Sequence, residues 1–255
     1  MCAYYTDSAV DSQVICALHN SNKKMLVFGD SITETASMRD DGSNYNADYK
    51  LNWTTYITKY FGASVLKNYA KAGATYTVSN KEDGTIIVEG TRSTLTHQVD
   101  LAVNDASNSD VEIVVFAAGT NDSKAIDNSL LVSHLGTFDN AMSKSPDALD
   151  KTELYQAIRY CMWKIKTTYP NAKCFVVTPI QSGNRDIYPT TTKAIIEMGN
   201  RYNFIVADAE KECGIVRDNE IANQNGVYLK DGLHPNEDGK FKMAEYICSR
   251  IKAFM

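Results

Sequence analysis

Short apolar runs alternate along this chain with longer segments whose apolar positions recur at helical spacing. Residues 24–28 carry Met25-Leu26-Val27-Phe28 and end at Gly29, residues 65–69 form a second run, and residues 112–118 are almost continuously apolar. Residues 173–178, stopped by Pro179, and residues 204–207 complete a set of five. Such unbroken runs suit strands covered on both faces, because neither face meets water. Between them, residues 49–61 offer Leu51, Trp53, Tyr56, Ile57 and Tyr60 for packing, and Leu95, Val99 and Ala102 mark a short helix. Asp150 with Glu153 resembles a capping box, ahead of a helix face made by Leu154, Ile158, Cys161, Met162 and Ile165. Residues 191–200 read as a further helix. A last one starts near Asn236, with Glu237 and Asp238 favouring its N-terminus, and is expected to turn Phe241, Ala244, Ile247, Cys248, Ile251 and Phe254 inward. Strand and helix alternating about five times predicts the α/β class: a three-layer α/β/α domain around a parallel five-stranded central sheet.

Two stretches break the alternation. Residues 76–93 contain Asp83-Gly84 between β-prone segments, which suggests a hairpin. Residues 123–149 are polar and irregular, an expected insertion over the sheet's edge. Residues 1–23 read as an N-terminal arm, and residues 24–255 as one domain carrying both insertions. No internal repeat or linker divides it.

Composition narrows the function classes. A net charge of -5 gives no pull toward nucleic acid or anionic lipid. The longest clean apolar run, residues 113–118, is far too short to span a bilayer. No signal-peptide pattern opens the chain, which leaves secreted and cytoplasmic locations both open. The six cysteines are widely spaced and His-Glu-x-x-His is absent, so nothing calls for a metal or another cofactor. Cys161, Cys174 and Cys248 lie in apolar periodic segments and read as small buried hydrophobes, while Cys2 and Cys16 could pair in an exported protein. Oligomeric state is not legible.

Candidate chemistry lies where the strands end, the edge at which parallel sheets bind ligands. Gly29-Asp30-Ser31 follows the first run, Gly73 the second and Gly119-Thr120-Asn121-Asp122 the third. Asp231-Gly232-Leu233-His234-Pro235 precedes the last helix, and its spacing lets the carboxylate reach one imidazole nitrogen and leave the other for a serine. A serine nucleophile needs a base, the base an orienter, and the oxyanion hydrogen-bond donors. Asp30 and Asp122 read as structural carboxylates tying strand-end loops, with a place in an active-site network as the alternative. None of the 14 glycines is spaced as Gly-x-Gly, and Gly-x-Ser-x-Gly is missing, which excludes the dinucleotide fingerprint and the common hydrolase elbow. His97 at a helix start and His134 in the polar insertion suit surface or packing roles, and His19 also lacks a neighbouring carboxylate partner.

From residue 24 to the C-terminus the chain resembles the SGNH (GDSL-type) hydrolases. Ser31 in Gly29-Asp30-Ser31-Ile32-Thr33 looks like the first block, Gly73 in Asn68-Tyr69-Ala70-Lys71-Ala72-Gly73-Ala74 the second, Asn121 the third, and Asp231 with His234 the last. The resemblance implies the flavodoxin-like SGNH architecture and a serine esterase without cofactor. Its catalytic residues would be Ser31, His234 and Asp231, with an oxyanion hole from the Ser31 and Gly73 N–H groups and the Asn121 amide. The lone glycine of the second block is the least specific match, and residues 123–149 are not anchored by the family's motifs. Gly73 would serve by letting its backbone approach substrate closely. The largely polar insertions favour a small acyl group, acetyl first, on a carbohydrate, by analogy with the family's carbohydrate esterases. The partner would be a small-molecule or polysaccharide ester. The alternatives are a lysophospholipase or thioesterase on the same site, and a non-catalytic carbohydrate-binding or assembly module. Tyr45, Tyr188 and Trp53 are candidates for stacking on a sugar, with a core role the plainer expectation for Trp53.

Overall fold

A computed structural model describes residues 23–34, 52–61, 65–78, 92–122, 135–183, 189–224 and 226–254. The five apolar runs are its strands: β1 (Lys24–Gly29), β2 (Val65–Asn68), β3 (Ile113–Ala117), β4 (Lys173–Val177) and β5 (Ile205–Ala207). All pair in parallel, in the order β2-β1-β3-β4-β5. Alternate side chains serve opposite faces, as the strand's two-residue period requires. Leu26, Phe28, Val114, Phe116, Cys174 and Val176 meet one helical layer, formed by α2 (Leu95–Asn104), α4 (Leu154–Thr168) and α5 (Pro189–Arg201). Met25, Val27, Ile113, Val115, Phe175 and Val177 meet the other, where α1 (Trp53–Phe61) and the short α6 (Ala209–Glu212) pack against α8 (Glu237–Lys252). Phe28 stacks on Phe116 with ring centroids 4.8 Å apart, beneath the edge where the site forms.

Register decides which loops meet. Gly29 of β1 is level with Ala117 of β3, so the segments that follow them leave the sheet side by side. The chain runs from β1 outward to β2 on one side and then returns to β3 on the other. That reversal opens a crevice beyond the carboxyl ends of β1 and β3.

Several expectations need correction. The segment 123–149 is not irregular throughout: its described part holds α3 (Phe138–Ser143), capped by the Thr137 hydroxyl, which accepts the Asn140 N–H at 3.1 Å. Ala141 is buried, and α3 lies on α4 and α5 in the helical layer. The Asp150/Glu153 capping box does not form. Asp150 is too far ahead of the first helical residue, Leu154, and accepts from the Thr152 N–H and hydroxyl at 2.9 and 2.7 Å. Phe241 and Phe254 are not inward: they are 44% and 46% exposed, and Met243 fills the core at 3%. Met243 sits four residues from both Gly239 and Ile247 on one stripe of α8. Phe241 is off that stripe and meets the edge of Tyr56, and Phe254 lies beyond the last helical residue. Trp53 is fully buried, so it offers no face to a sugar. Residues 1–22 of the arm, the expected hairpin around Asp83-Gly84, Tyr45, Tyr188, Cys2, Cys16, His19 and His134 lie outside the described residues.

Candidate active site

The first strand ends in a turn that only glycine admits. A Cβ on Gly29 would stand 2.4 Å from the Ala117 carbonyl oxygen and 2.6 Å from Thr33 Cβ. Asp30 accepts the Ile32 N–H at 3.0 Å, Thr33 donates its hydroxyl to the Ala117 carbonyl at 2.9 Å, and the Glu34 N–H closes onto the Asp30 carbonyl. Buried Gln98 of α2 brackets Gly29, accepting its N–H at 3.0 Å and donating to its carbonyl at 2.9 Å. Ser31 is thus carried by a turn fixed on three sides. Gln98 was not singled out from the sequence, although a glutamine among Leu95, Val99 and Ala102 is an anomaly on an apolar face.

The second and third strand ends are joined through Gly73. Lys71 donates its N–H to the Gly29 carbonyl, and Ala72 donates to the Glu34 carboxylate at 2.9 Å. Gly73 follows with φ of +78°, and Asn121 then donates its side-chain amide to the Ala74 carbonyl at 2.9 Å. A Cβ on Gly73 would meet nothing within 4 Å, so its positive φ, rather than crowding within the chain, is what selects glycine. Among the described residues no group accepts a hydrogen bond from the Ser31 or the Gly73 N–H. Two backbone donors and the second proton of the Asn121 amide are therefore uncommitted at one sheet edge.

Asp122 points the other way, into the core. Its carboxylate accepts the Tyr76 N–H at 3.0 and 2.9 Å and the Thr77 N–H and hydroxyl at 3.3 Å each. Burial pushes this carboxyl up to about 6 despite those donors, which favour the ionised form. Tyr76 and Cys161, both buried nearby, are pushed up as well, again chiefly by burial. Because the folded value lies above the ordinary one, the stability contributed by Asp122 is full below about pH 4 and is lost as pH rises through about 6. Denaturant titrations at pH 4 and pH 7 should show wild type losing about 2 kcal/mol relative to Asp122→Asn, whose amide does not titrate.

The base lies in the loop before α8. Ser31 Oγ is 2.9 Å from His234 Nε2, and His234 Nδ1 is 2.7 Å from Asp231 Oδ2. Asp231 Oδ1 accepts the N–H groups of Leu233 at 3.0 Å and His234 at 2.7 Å. Partial burial raises the Asp231 carboxyl, but the His234 N–H, the imidazole and the Leu233 N–H outweigh it, and the net shift is downward. Ser182 donates its hydroxyl to the Gly232 carbonyl at 2.7 Å, and the Lys230 N–H closes the turn onto the His234 carbonyl at 2.9 Å. Behind it, fully buried Glu220 of α7 (Arg217–Ala222) accepts the N–H groups of Val227, Tyr228 and Leu229 at 3.2, 2.8 and 3.3 Å. Sequence reasoning missed Glu220 because α7 is too short to show a period against which one carboxylate would stand out.

Ser31, Asp231 and His234 are therefore in one hydrogen-bonded chain, and Gly73 and Asn121, from the segments after β2 and β3, are tied together by the Asn121 bond to the Ala74 carbonyl. His97 is elsewhere, at the start of α2, where its N–H meets the capping Thr94 hydroxyl. A separate open cavity of about 820 Å³ lies along α3, α4 and α5, lined in part by Tyr155, Lys193, Glu197 and Arg201, and includes none of the five residues. Among the described residues no group of three or more His, Cys, Asp or Glu side chains could hold a metal ion. Cys161, Cys174, Cys213 and Cys248 are buried and form no disulfide among the described residues, and no described helix is long and apolar enough to cross a membrane.

The family model described as GDSL-like Lipase/Acylhydrolase matches residues 25–247. Among solved structures, a Lactobacillus plantarum protein is 17% identical, with a TM-score of 0.66 over 91% of this chain and 98% of that one. An acetyl xylan esterase from Geobacillus stearothermophilus is 15% identical, with a TM-score of 0.52 over 90% and 94%. A carbohydrate acetylesterase from Sinorhizobium meliloti is 14% identical, with a TM-score of 0.54 over 91% and 100%. At these identities the likeness establishes the fold, which is the SGNH-hydrolase α/β/α arrangement. A search of curated proteins finds no match.

Proposed function

Given that the chain belongs to the GDSL-like lipase/acylhydrolase family, we propose that it is a serine esterase that removes short acyl groups, acetyl first, from carbohydrate. The observation that carries this is the unbroken chain from Ser31 Oγ through His234 to Asp231, beside two backbone N–H groups that have no acceptor among the described residues. His234 Nε2 takes the Ser31 proton as Oγ bonds to the ester carbon, and the carbonyl electron pair moves onto oxygen. The Ser31 and Gly73 N–H groups and the Asn121 amide receive that oxyanion. Nε2–H then protonates the departing alkoxide. A water, deprotonated by the same nitrogen, attacks the acyl-serine and releases the acid and free Ser31.

Two of the structural neighbours are named for acetyl xylan and carbohydrate acetyl esters, and this supports the substrate class. Acetate release from a panel of acetylated sugars and polysaccharides tests it, alongside rates on nitrophenyl esters of increasing chain length. An acetyl preference that collapses beyond about four carbons is expected on the small-acyl assignment. Rates that rise with chain length, or no release from any acetylated carbohydrate, overturn the substrate assignment.

Asn121→Ala removes one oxyanion donor and should lower kcat by about a hundredfold, with KM little changed. Steady-state kinetics on a nitrophenyl acetate will read this directly. A loss confined to KM would mean that the amide holds substrate rather than the transition state.

A further inference from the structure

Gly73 is gripped from both sides by buried carboxylates. Glu34, three residues beyond Ser31 and 2% exposed, accepts the Ala72 N–H just before it. Asp122, one residue beyond Asn121 and also 2% exposed, accepts the Tyr76 and Thr77 N–H groups just after it. The Lys71 bond to the Gly29 carbonyl lies just ahead of the first grip, and the Asn121 bond to the Ala74 carbonyl lies between the two. Every residue flanking Gly73 from 71 to 77, apart from Thr75 and Gly73 itself, is thus bonded to the segment that carries Ser31 or the one that carries Asn121. Thr75 is secured separately, donating to the Ser93 carbonyl in the bridge that closes the 75–94 loop.

We infer that Glu34 and Asp122 are positioning residues that lock the Gly73 N–H to the nucleophile and to the Asn121 amide, making three separate strand ends one oxyanion site. The inference rests on the esterase assignment above. Neither carboxylate touches substrate. Each fixes a backbone segment whose displacement by about 1 Å would spoil a donor aimed at the developing charge, a displacement that can cost about a hundredfold in rate.

The chemistry of the two grips predicts different responses. Asp122 accepts through both oxygens, with the Tyr76 N–H shared between them. In Asp122→Asn one of those oxygens becomes an NH2 group that confronts a donor, so the grip is broken. Glu34 meets Ala72 through one oxygen, so Glu34→Gln can keep that bond, whereas Glu34→Ala cannot.

The test compares kcat on an oxygen ester with kcat on the matching thionoester, whose sulfur is a poor acceptor and draws little on the oxyanion donors. Asp122→Asn and Glu34→Ala should each lower kcat on the oxygen ester tenfold to a hundredfold, with smaller losses on the thionoester and KM within about threefold. Glu34→Gln should restore most of the rate. Combined with Asn121→Ala, Asp122→Asn should cost clearly less than it does alone, because the two act on one site. Equal losses on both esters, additive costs, or undiminished kcat in folded variants would overturn the inference. Where Asp122→Asn does not fold, Thr77→Val, which deletes a single donor to Asp122, and the Glu34 pair carry the same comparison. Ser31→Ala run in parallel keeps the outcomes apart: retained activity there defeats the esterase assignment, while a dead Ser31→Ala with an unchanged ester ratio defeats only the positioning role.

Discussion

Ser31→Ala should lower kcat on an acetyl ester by about a millionfold, to the residual rate that oxyanion donors and binding sustain without a nucleophile. Among the described residues no other side chain bonds to the His234 ring: Nε2 is 2.9 Å from Ser31 Oγ, and Nδ1 is committed to Asp231. The stability cost should be small. Ser31 is only partly buried, its one side-chain bond is to that imidazole, and the turn beneath it is held by Asp30, Thr33 and Gln98. Near-wild-type melting with absent turnover is therefore the expected pair of results, read by thermal unfolding and by nitrophenyl acetate hydrolysis. Labelling by a fluorophosphonate should vanish in the same variant. Because nucleophile and base act as a unit, Ser31→Ala combined with His234→Ala should be scarcely slower than either single variant. A Ser31→Ala enzyme that kept even a tenth of wild-type turnover would remove this serine from the chemistry.

The sheet was legible because its strands are buried on both faces: Ile113–Ala117 has no water-facing side to interrupt its apolar run. The long helices were legible too, since Leu154, Ile158, Cys161, Met162 and Ile165 all sit on one buried stripe. Gly29 and Gly119 could be placed at strand ends, but not the reasons for them. A Cβ at 119 would meet Ile195 of α5, a residue 76 positions away, and no local pattern encodes such a neighbour. Short elements were the blind spot. α3 and α7 each span six residues, too few for a helical period to emerge from a polar background. The polar members of the candidate site were found as local strings, whereas Gln98, Glu34 and Glu220 were not. Their work is to accept or donate across 69, 38 and up to 9 positions of chain, and only the folded register reveals it. Phe241 shows the converse error. Hydrophobicity alone suggested burial, but its place beside the Gly239, Met243, Ile247 stripe leaves it at the flank against Tyr56.

Asp231→Asn should lower kcat by about ten-thousandfold with KM nearly unchanged, and the bonding around Asp231 says why. Oδ1 accepts two backbone N–H groups, from Leu233 and His234, while Oδ2 alone faces His234 Nδ1. An asparagine must keep its oxygen toward the two backbone donors, which forces its NH2 toward Nδ1. Nδ1 then has to accept, so the ring proton moves to Nε2, the nitrogen that must receive the Ser31 proton. The imidazole is held in place but in the wrong tautomer. Asp231→Ala withdraws the carboxylate without imposing that tautomer, so it should be no slower than Asp231→Asn, a ranking that simple loss of negative charge would not produce. A low-field proton resonance from Nδ1–H, present in wild type and lost in Asp231→Asn, would report the tautomer directly. The downward shift at Asp231 adds a stability signature with a definite sign. A carboxyl depressed in the folded state contributes above its ordinary value and loses that contribution as pH falls through the folded one. Wild type should therefore lose its advantage over Asp231→Asn in acid unfolding titrations, the reverse of the trend expected for Asp122. Asp231→Asn faster than Asp231→Ala would mean that Asp231 acts through its charge and that the tautomer is set elsewhere.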